Sequence, residues 1–370
     1  MENNQIIELE RFGQSVWLDY IRRDFIENGE LKKLISEDGL RGITSNPAIF
    51  EKAILNSAIY TEPIRDMLRS CKDSNFIYEA LSQSDVQRAA DEFRSVYENS
   101  GRNDGFVSLE VNPHLAFDTE GTILEAQRLW AAVDRPNILI KIPATAEGLP
   151  AIRQLISEGI NINVTLIFGI ERYLQVVNEY MAGIKERIRH NESVIDVVSV
   201  ASFFLSRIDT LIDPIIENVI EQGGERTGLA KKTYGQVAVS SAKTAYQVYK
   251  HIFESDMFLD LSMSGARVQR LLWASTGVKN PKFDEFKYVE PLIGQNTVST
   301  LPYDVFNAYL EHGSPESTIE NSVEEAAEIL RALPVLGVDI DDISRQLELE
   351  GLEKFIEPFD KLLSAIENFV

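Results

Sequence analysis

Short β-branched runs alternate with longer stretches of helical period along most of this chain. Eight runs have strand character, at 15–20, 41–46, 106–112, 138–143, 161–167, 196–203, 268–275 and 288–293. Between them, apolar residues recur at helical spacing, as in Tyr173, Leu174, Val177, Met181, Ile184 and Ile188, and again in Leu211, Ile212, Ile215, Ile216, Val219 and Ile220. These stripes are core-facing helix surface, and they carry no cofactor signature. Strands separated by helices favour a parallel sheet. Eight such units in roughly 280 residues predict a (β/α)8 barrel, an α/β TIM-barrel fold, in preference to an open sheet. One barrel domain over residues 1–370 is expected, with helical insertions at about 51–100 and 211–255. A helical tail follows from about 316 to 370, with Pro334 and Pro358 as breaks, and its acidic surface predicts packing on the barrel exterior without a chemical role.

Side chains alternate faces along a strand, so parity separates barrel interior from helix-facing surface. In the fourth run Ile138, Ile140 and Ile142 share one face, and Leu139 and Lys141 the other. In the third, Ser108, Glu110 and Asn112 oppose Val107, Leu109 and Val111; in the fifth, Asn163 and Thr165 oppose Ile162, Val164 and Leu166. The first ends in Asp19, the second in Thr44-Ser-Asn46, the sixth carries Ser202 and the seventh ends in Ser275. A single polar strand end is ordinary turn chemistry. Recurrence at most strand ends, with two carboxylates and one lysine, marks the end of a barrel where catalytic residues collect.

Lys141 is the centre of that set. It stands alone in Asn137-Ile-Leu-Ile-Lys-Ile-Pro-Ala-Thr145, and the bland alternative is a strand-end ammonium reaching water. Burial in such a run favours the neutral amine, which attacks carbonyls. Imine formation with a ketone creates an electron sink that lets a neighbouring carbon–carbon bond break. Carboxylates then serve to move the protons, and amides and hydroxyls to orient a polyhydroxylated substrate.

Composition narrows the remaining choices. The net charge of −22 argues against nucleic-acid and anionic-membrane partners, so a phosphorylated ligand needs a local cationic pocket. No run approaches the roughly 18–20 apolar residues of a membrane span. Cys71 is the only cysteine, and the opening residues lack the order of a signal peptide, so a cytoplasmic location is expected. The four histidines (His114, His190, His251, His312) are far apart, and there is no phosphate-binding glycine loop. Neither a metal nor a cofactor is expected.

Four segments resemble transaldolase signatures: Gly42-Ile-Thr-Ser-Asn-Pro47, Val107-Ser-Leu-Glu-Val-Asn-Pro113, Ile138-Leu-Ile-Lys-Ile-Pro143 and Asn161-Ile-Asn-Val-Thr-Leu-Ile-Phe168. Their order and near-family spacing extend the resemblance over about residues 15–310, and the insertions and tail look like the longer bacterial branch. The resemblance implies a Schiff-base transferase of the pentose phosphate pathway that moves a dihydroxyacetone unit between sugar phosphates. It implies Lys141 as imine-forming residue, Asp19 as the acid/base at the breaking bond, and Glu110 with Thr165 acting through water on the imine. Asn46, Asn163 and Ser202, with Thr44 beside them, would hold the dihydroxyacetone hydroxyls. Arg207 in Ser202-Phe-Phe-Leu-Ser-Arg-Ile matches a phosphate-binding arginine, and Ser275 would donate to the same phosphate.

A second family arginine is missing, because Gly277 stands in its place. Lys279 is the substitute, its alternative being an exposed loop lysine. The rival activity is a fructose-6-phosphate aldolase, a lyase. Such relatives carry glutamine and tyrosine where this chain has Glu110 and Phe204, so transfer is favoured. A barrel reduced to binding sugar phosphates would lack one of Lys141, Asp19 or Glu110, and none is missing. A homodimer is compatible with the resemblance.

Overall fold

The β-branched runs pair in parallel, each with its sequence neighbours, and the last pairs with the first to close an eight-stranded barrel. In the computed structural model, which describes residues 4–70 and 73–369, the strands are β1 (Gln14–Asp19), β2 (Gly42–Thr44), β3 (Phe106–Glu110), β4 (Ile138–Pro143), β5 (Ile162–Ile167), β6 (Ser199–Phe204), β7 (Arg270–Ala274) and β8 (Thr297–Leu301). Cys71 lies outside the described residues. Among those residues, no helix is long and apolar enough to cross a membrane.

Seven strands fall within a few residues of their expected positions, and the eighth does not. The 288–293 run forms a 3-10 turn at Glu290–Leu292, and the eighth strand is Thr297-Val-Ser-Thr-Leu301. β8 lies between β7 and β1, so every backbone N–H on it has a ladder to serve. Pro291 has none to offer, which excludes its segment from that position. Tyr288, Val289, Leu292 and Ile293 are buried outside the sheet instead, imitating the apolar content of a strand.

Closure demands matched volumes inside the sheet. The Trp17 ring points inward from β1, opposite Gly42 on β2. A Cβ at Gly42 would come within 2.7 Å of that ring and 2.8 Å of the Phe106 carbonyl, so only glycine admits the indole. The same end is sealed by polar bonds. Arg270 donates to Asp104 at 3.2 Å, to Ser15 Oγ at 2.6 Å and to the Thr297 carbonyl at 2.7 Å, while Ser15 donates to Asp104 at 2.7 Å and Trp17 Nε1 to Asp104 at 3.2 Å. Arg270 is 4% exposed and Asp104 9%, so this ion pair is largely buried.

The long gaps are helical. Pro47–Leu55, Thr61–Ser70, Ser74–Glu92 and Arg94–Asn99 fill the β2–β3 connection. After β6 come Ser206–Gln222, Thr227–Thr233, Val237–Phe253 and Asp256–Met263. The break between the second and third of these is at Gly235, whose φ of +68° and whose contact with the Phe283 ring favour glycine.

The tail departs from expectation. Its last helix, Ile340–Glu367, continues through Pro358. It does not lie along the outside of the barrel but crosses the end where the strands finish. Gly351 meets Leu166 at the end of β5, Phe355 meets Lys141 of β4, and Phe359 packs edge-on against Tyr78 with ring centroids 5.3 Å apart. The apolar period of Ile343, Leu347, Leu352, Phe355, Phe359, Leu362 and Ile366 is the buried face that drives this docking. Pro358 withholds the N–H that would reach the Lys354 carbonyl, a loss a docked helix tolerates.

Removing Asp104 strands a buried guanidinium, so Asp104→Ala is expected to cost about 3–5 kcal/mol in urea unfolding. A loss below about 1 kcal/mol would place the Asp104–Arg270 pair in the class of exposed ion pairs.

Candidate active site

Parallel pairing places residues of equal register side by side on one face, and this is what assembles the site. Lys141 lies opposite Glu110 of β3 and Asn163 of β5, while Asp19 lies opposite Thr44. Lys141 is only 4% exposed. Its Nζ donates to the Ser45 carbonyl at 3.2 Å and stands 3.5 Å from Glu110 Oε2, a charge contact too long for a good hydrogen bond. Burial pushes the Glu110 carboxyl up to about 7, against the opposing pull of the Lys141 cation. Neither Glu110 oxygen has a hydrogen-bond partner among the described residues, and the buried Thr165 hydroxyl has none either. Buried polar atoms left unpaired typically cost ~1–3 kcal/mol each, so the two strands that flank β4 carry groups free to serve a ligand.

Asp19 has a different setting. Thr44 Oγ1 donates to its Oδ1 at 2.7 Å, and the Thr44 and Thr300 hydroxyls are 2.8 Å apart. Burial raises the Asp19 carboxyl above the ordinary range, while Lys141, the Thr44 hydrogen bond and Arg207 hold it back. Asn163 is fully buried, donating to Ser108 Oγ at 3.0 Å and accepting from Ser202 Oγ at 2.7 Å. Asn46 Oδ1 caps the Pro47–Leu55 helix through the Ile49 N–H at 3.1 Å.

These residues border a cavity of about 370 Å³ at the C-terminal ends of the strands. Asp19, Thr44, Asn46, Lys141, Ser202 and Phe204 line it, while Glu110, Asn163 and Thr165 are buried outside its lining. Arg207, Ser275 and Lys279 line it as well. Arg207 is in the first turn of the helix after β6, with its guanidinium 5.6 Å from the Phe204 ring centroid. Its Nη1 is buried without a hydrogen-bond partner, and burial lowers its pKa. Ser275, at φ +56°, shares a 2.8 Å hydrogen bond with Ser206. Lys279 Nζ comes within 3.8 Å of where a Gly277 Cβ would stand, so the lysine folds back over the position of the absent arginine. Asn280 ties this loop to Tyr234 at 3.2 Å, and Lys287 ties its far side to Asp209 at 2.7 Å.

All twelve residues singled out from the sequence are thus brought to one end of the barrel. The lining residues that the sequence did not single out include Lys52, Thr300, Lys354 and Phe355. Thr300 was hidden by the misplaced eighth strand. Lys354 and Phe355 belong to the tail, whose apolar period was the available signal. Lys52, Arg207, Lys279 and Lys354 give one cavity four cations in a chain of net charge −22, and among the described residues none of the four has a salt-bridge partner. A buried amine, two carboxyls made more basic by burial and a cationic rim suit imine chemistry on an anionic carbonyl compound.

The profile of the transaldolase/fructose-6-phosphate aldolase family matches residues 16–366. Over 374 residues the chain is 46% identical to a transaldolase of Trichodesmium erythraeum, spanning 100% of this chain and 98% of that protein. A transaldolase of Thiobacillus denitrificans is 43% identical over 97% of this chain and 98% of its own length. One from Saccharopolyspora erythraea is 41% identical over 99% and 98%.

The raised carboxyl of Glu110 has a thermodynamic consequence. The folded chain keeps that proton up to about pH 7, whereas an ordinary glutamate releases it near 4.5. The folded state therefore binds more protons in that window, and stability falls as pH rises through it. In urea unfolding at stepped pH, Glu110→Gln is expected to gain stability relative to the parent across the window. Parallel curves would contradict the assignment.

Proposed function

The chain belongs to the transaldolase/fructose-6-phosphate aldolase family, and on that premise we propose that it is a transaldolase acting through a Schiff base on Lys141. The observation that carries this reading is the buried Lys141 amine 3.5 Å from Glu110, on a cavity that it shares with Asp19. Donors are sedoheptulose 7-phosphate or fructose 6-phosphate, and acceptors are glyceraldehyde 3-phosphate or erythrose 4-phosphate. That places the enzyme in the non-oxidative pentose phosphate pathway, and the reading carries a cytoplasmic location with it.

In this mechanism the neutral Lys141 amine adds to the ketone carbon, and the carbinolamine loses water to give a protonated imine. Glu110 supplies and recovers the proton through a water that Thr165 helps to hold. A carboxyl near pH 7 suits both directions of that exchange. Asp19 takes the proton of the hydroxyl on the fourth carbon. The bond between the third and fourth carbons breaks, its electrons pass to the imine, and an aldehyde leaves. The enamine then attacks the acceptor aldehyde, whose oxygen takes its proton from Asp19. Asn46, Asn163, Ser202 and Thr44 orient the hydroxyls of the three-carbon unit. Arg207, Lys279 and Ser275 receive the phosphate, the guanidinium by paired hydrogen bonds.

The lyase reading needs water to intercept the three-carbon intermediate readily. Glu110 and the hydroxyl-free ring of Phe204 favour the transferase.

Incubation with fructose 6-phosphate followed by borohydride reduction is expected to label Lys141. Label on another lysine, or none, overturns the mechanism. Added erythrose 4-phosphate should yield sedoheptulose 7-phosphate, whereas free dihydroxyacetone without that product would identify a lyase. Lys279→Ala is expected to raise KM about tenfold for phosphorylated donors, the scale of one lost charged contact. An equal rise for unphosphorylated donors removes Lys279 from that role.

A further inference from the structure

The last helix brings an apolar ring to the reacting amine. Phe355 is 3% exposed, its ring centroid is 5.2 Å from Lys141 Nζ, and it forms part of the cavity lining. The helix is pinned on both sides of that contact. On one side, Gly351 sits so close to the barrel that a Cβ there would be 2.9 Å from Leu166 Cδ2 and 3.4 Å from Arg207 Nη1. On the other, Asp360 meets His114 at 2.7 Å, Lys361 pairs with Glu51, and Ser74 donates to Glu367 at 2.9 Å. Leu166 itself has φ +61°, a strained backbone for a branched residue, at an irregularity of β5.

A chemical need matches this placement. After the first aldehyde leaves, the enamine on Lys141 must wait for a second. Protonation of its third carbon restores the protonated imine, and water adding to the imine carbon gives a carbinolamine. Collapse of the carbinolamine releases dihydroxyacetone and the free amine, and the transfer is lost. Water is needed at the imine only when a complete ketose is bound, and Glu110 and Thr165 stand ready to handle it from β3 and β5. On the cavity side, the amine is faced by a ring that can neither donate nor accept a hydrogen bond, and whose π-face also favours a cationic nitrogen.

We propose that Phe355 is a specificity-determining residue that sets the partition between aldehyde transfer and hydrolysis by keeping bulk water from the Lys141 adduct. The proposal rests on the transaldolase reading above. It makes the tail part of the reaction chamber, with Lys354 as the neighbouring cation on the same wall.

The test supplies fructose 6-phosphate and erythrose 4-phosphate and measures free dihydroxyacetone formed per sedoheptulose 7-phosphate. Phe355→Ala is expected to raise that ratio about tenfold, and Phe355→Leu, which keeps an apolar wall, to raise it less. A helix that matters only for packing would lower both products together and leave the ratio in place. An unchanged ratio in a Phe355→Ala protein that still melts cooperatively overturns the proposal. If Phe355→Ala does not fold, Phe355→Leu decides alone: a rise supports the proposal and an unchanged ratio overturns it. A parent chain that gives no borohydride adduct on Lys141 overturns the transaldolase reading itself, separately from Phe355.

Discussion

Desolvation of charge at one end of a closed sheet is the constraint on which the rest of the molecule depends. Lys141, Asp19 and Glu110 would each be ordinary ions in water. Parallel register brings them to one interior, where burial makes both carboxyls more basic and the amine meets the outside only through the cavity it lines. Such an arrangement opposes folding, since unpaired buried groups cost free energy. At its opposite end, Arg270, Asp104, Ser15 and Trp17 are joined by hydrogen bonds. Stability and chemistry are thus separated along the barrel axis, as the asymmetry of this architecture allows.

The distribution of charge follows the same division. An acidic surface repels anionic ligands in general, and the four cations lining one cavity reverse that potential locally. Arg207 is held by Phe204 below and by the close approach of Gly351, so its position is set by packing and not by a carboxylate partner. A guanidinium with no salt bridge among the described residues keeps its donors for a phosphate.

Much of this was legible in the sequence. The period-two alternation revealed which side of each strand faces inward, and it did so because a barrel interior tolerates polar residues only near its functional end. Lys141 was identifiable because a charged residue interrupts an otherwise apolar run. What escaped detection had a common cause: apolar content does not say where a segment packs. Tyr288, Val289, Leu292 and Ile293 are as buried as a strand, and only Pro291 revealed that they are not one. The tail looked like solvated helix because acidic residues recur along its whole length, although eight buried positions recur on one face. Phe355 could be recognised as part of that face, but its meeting with Lys141 depends on a docking angle that no local pattern encodes.

The contacts that hold the last helix in place also join parts of the chain that are very distant in sequence. Lys361 reaches Glu51 across 310 positions and Glu367 reaches Ser74 across 293, while β1 must find β8 across the whole barrel. Loops of that length are slow to close, and contacts of such high order form after local βα units have assembled. Until they form, two strand edges and an apolar helix face stay open to other chains. The chamber over Lys141 therefore belongs to the end of folding, and conditions that trap the chain earlier yield an aggregation-prone barrel before they yield a leaky enzyme.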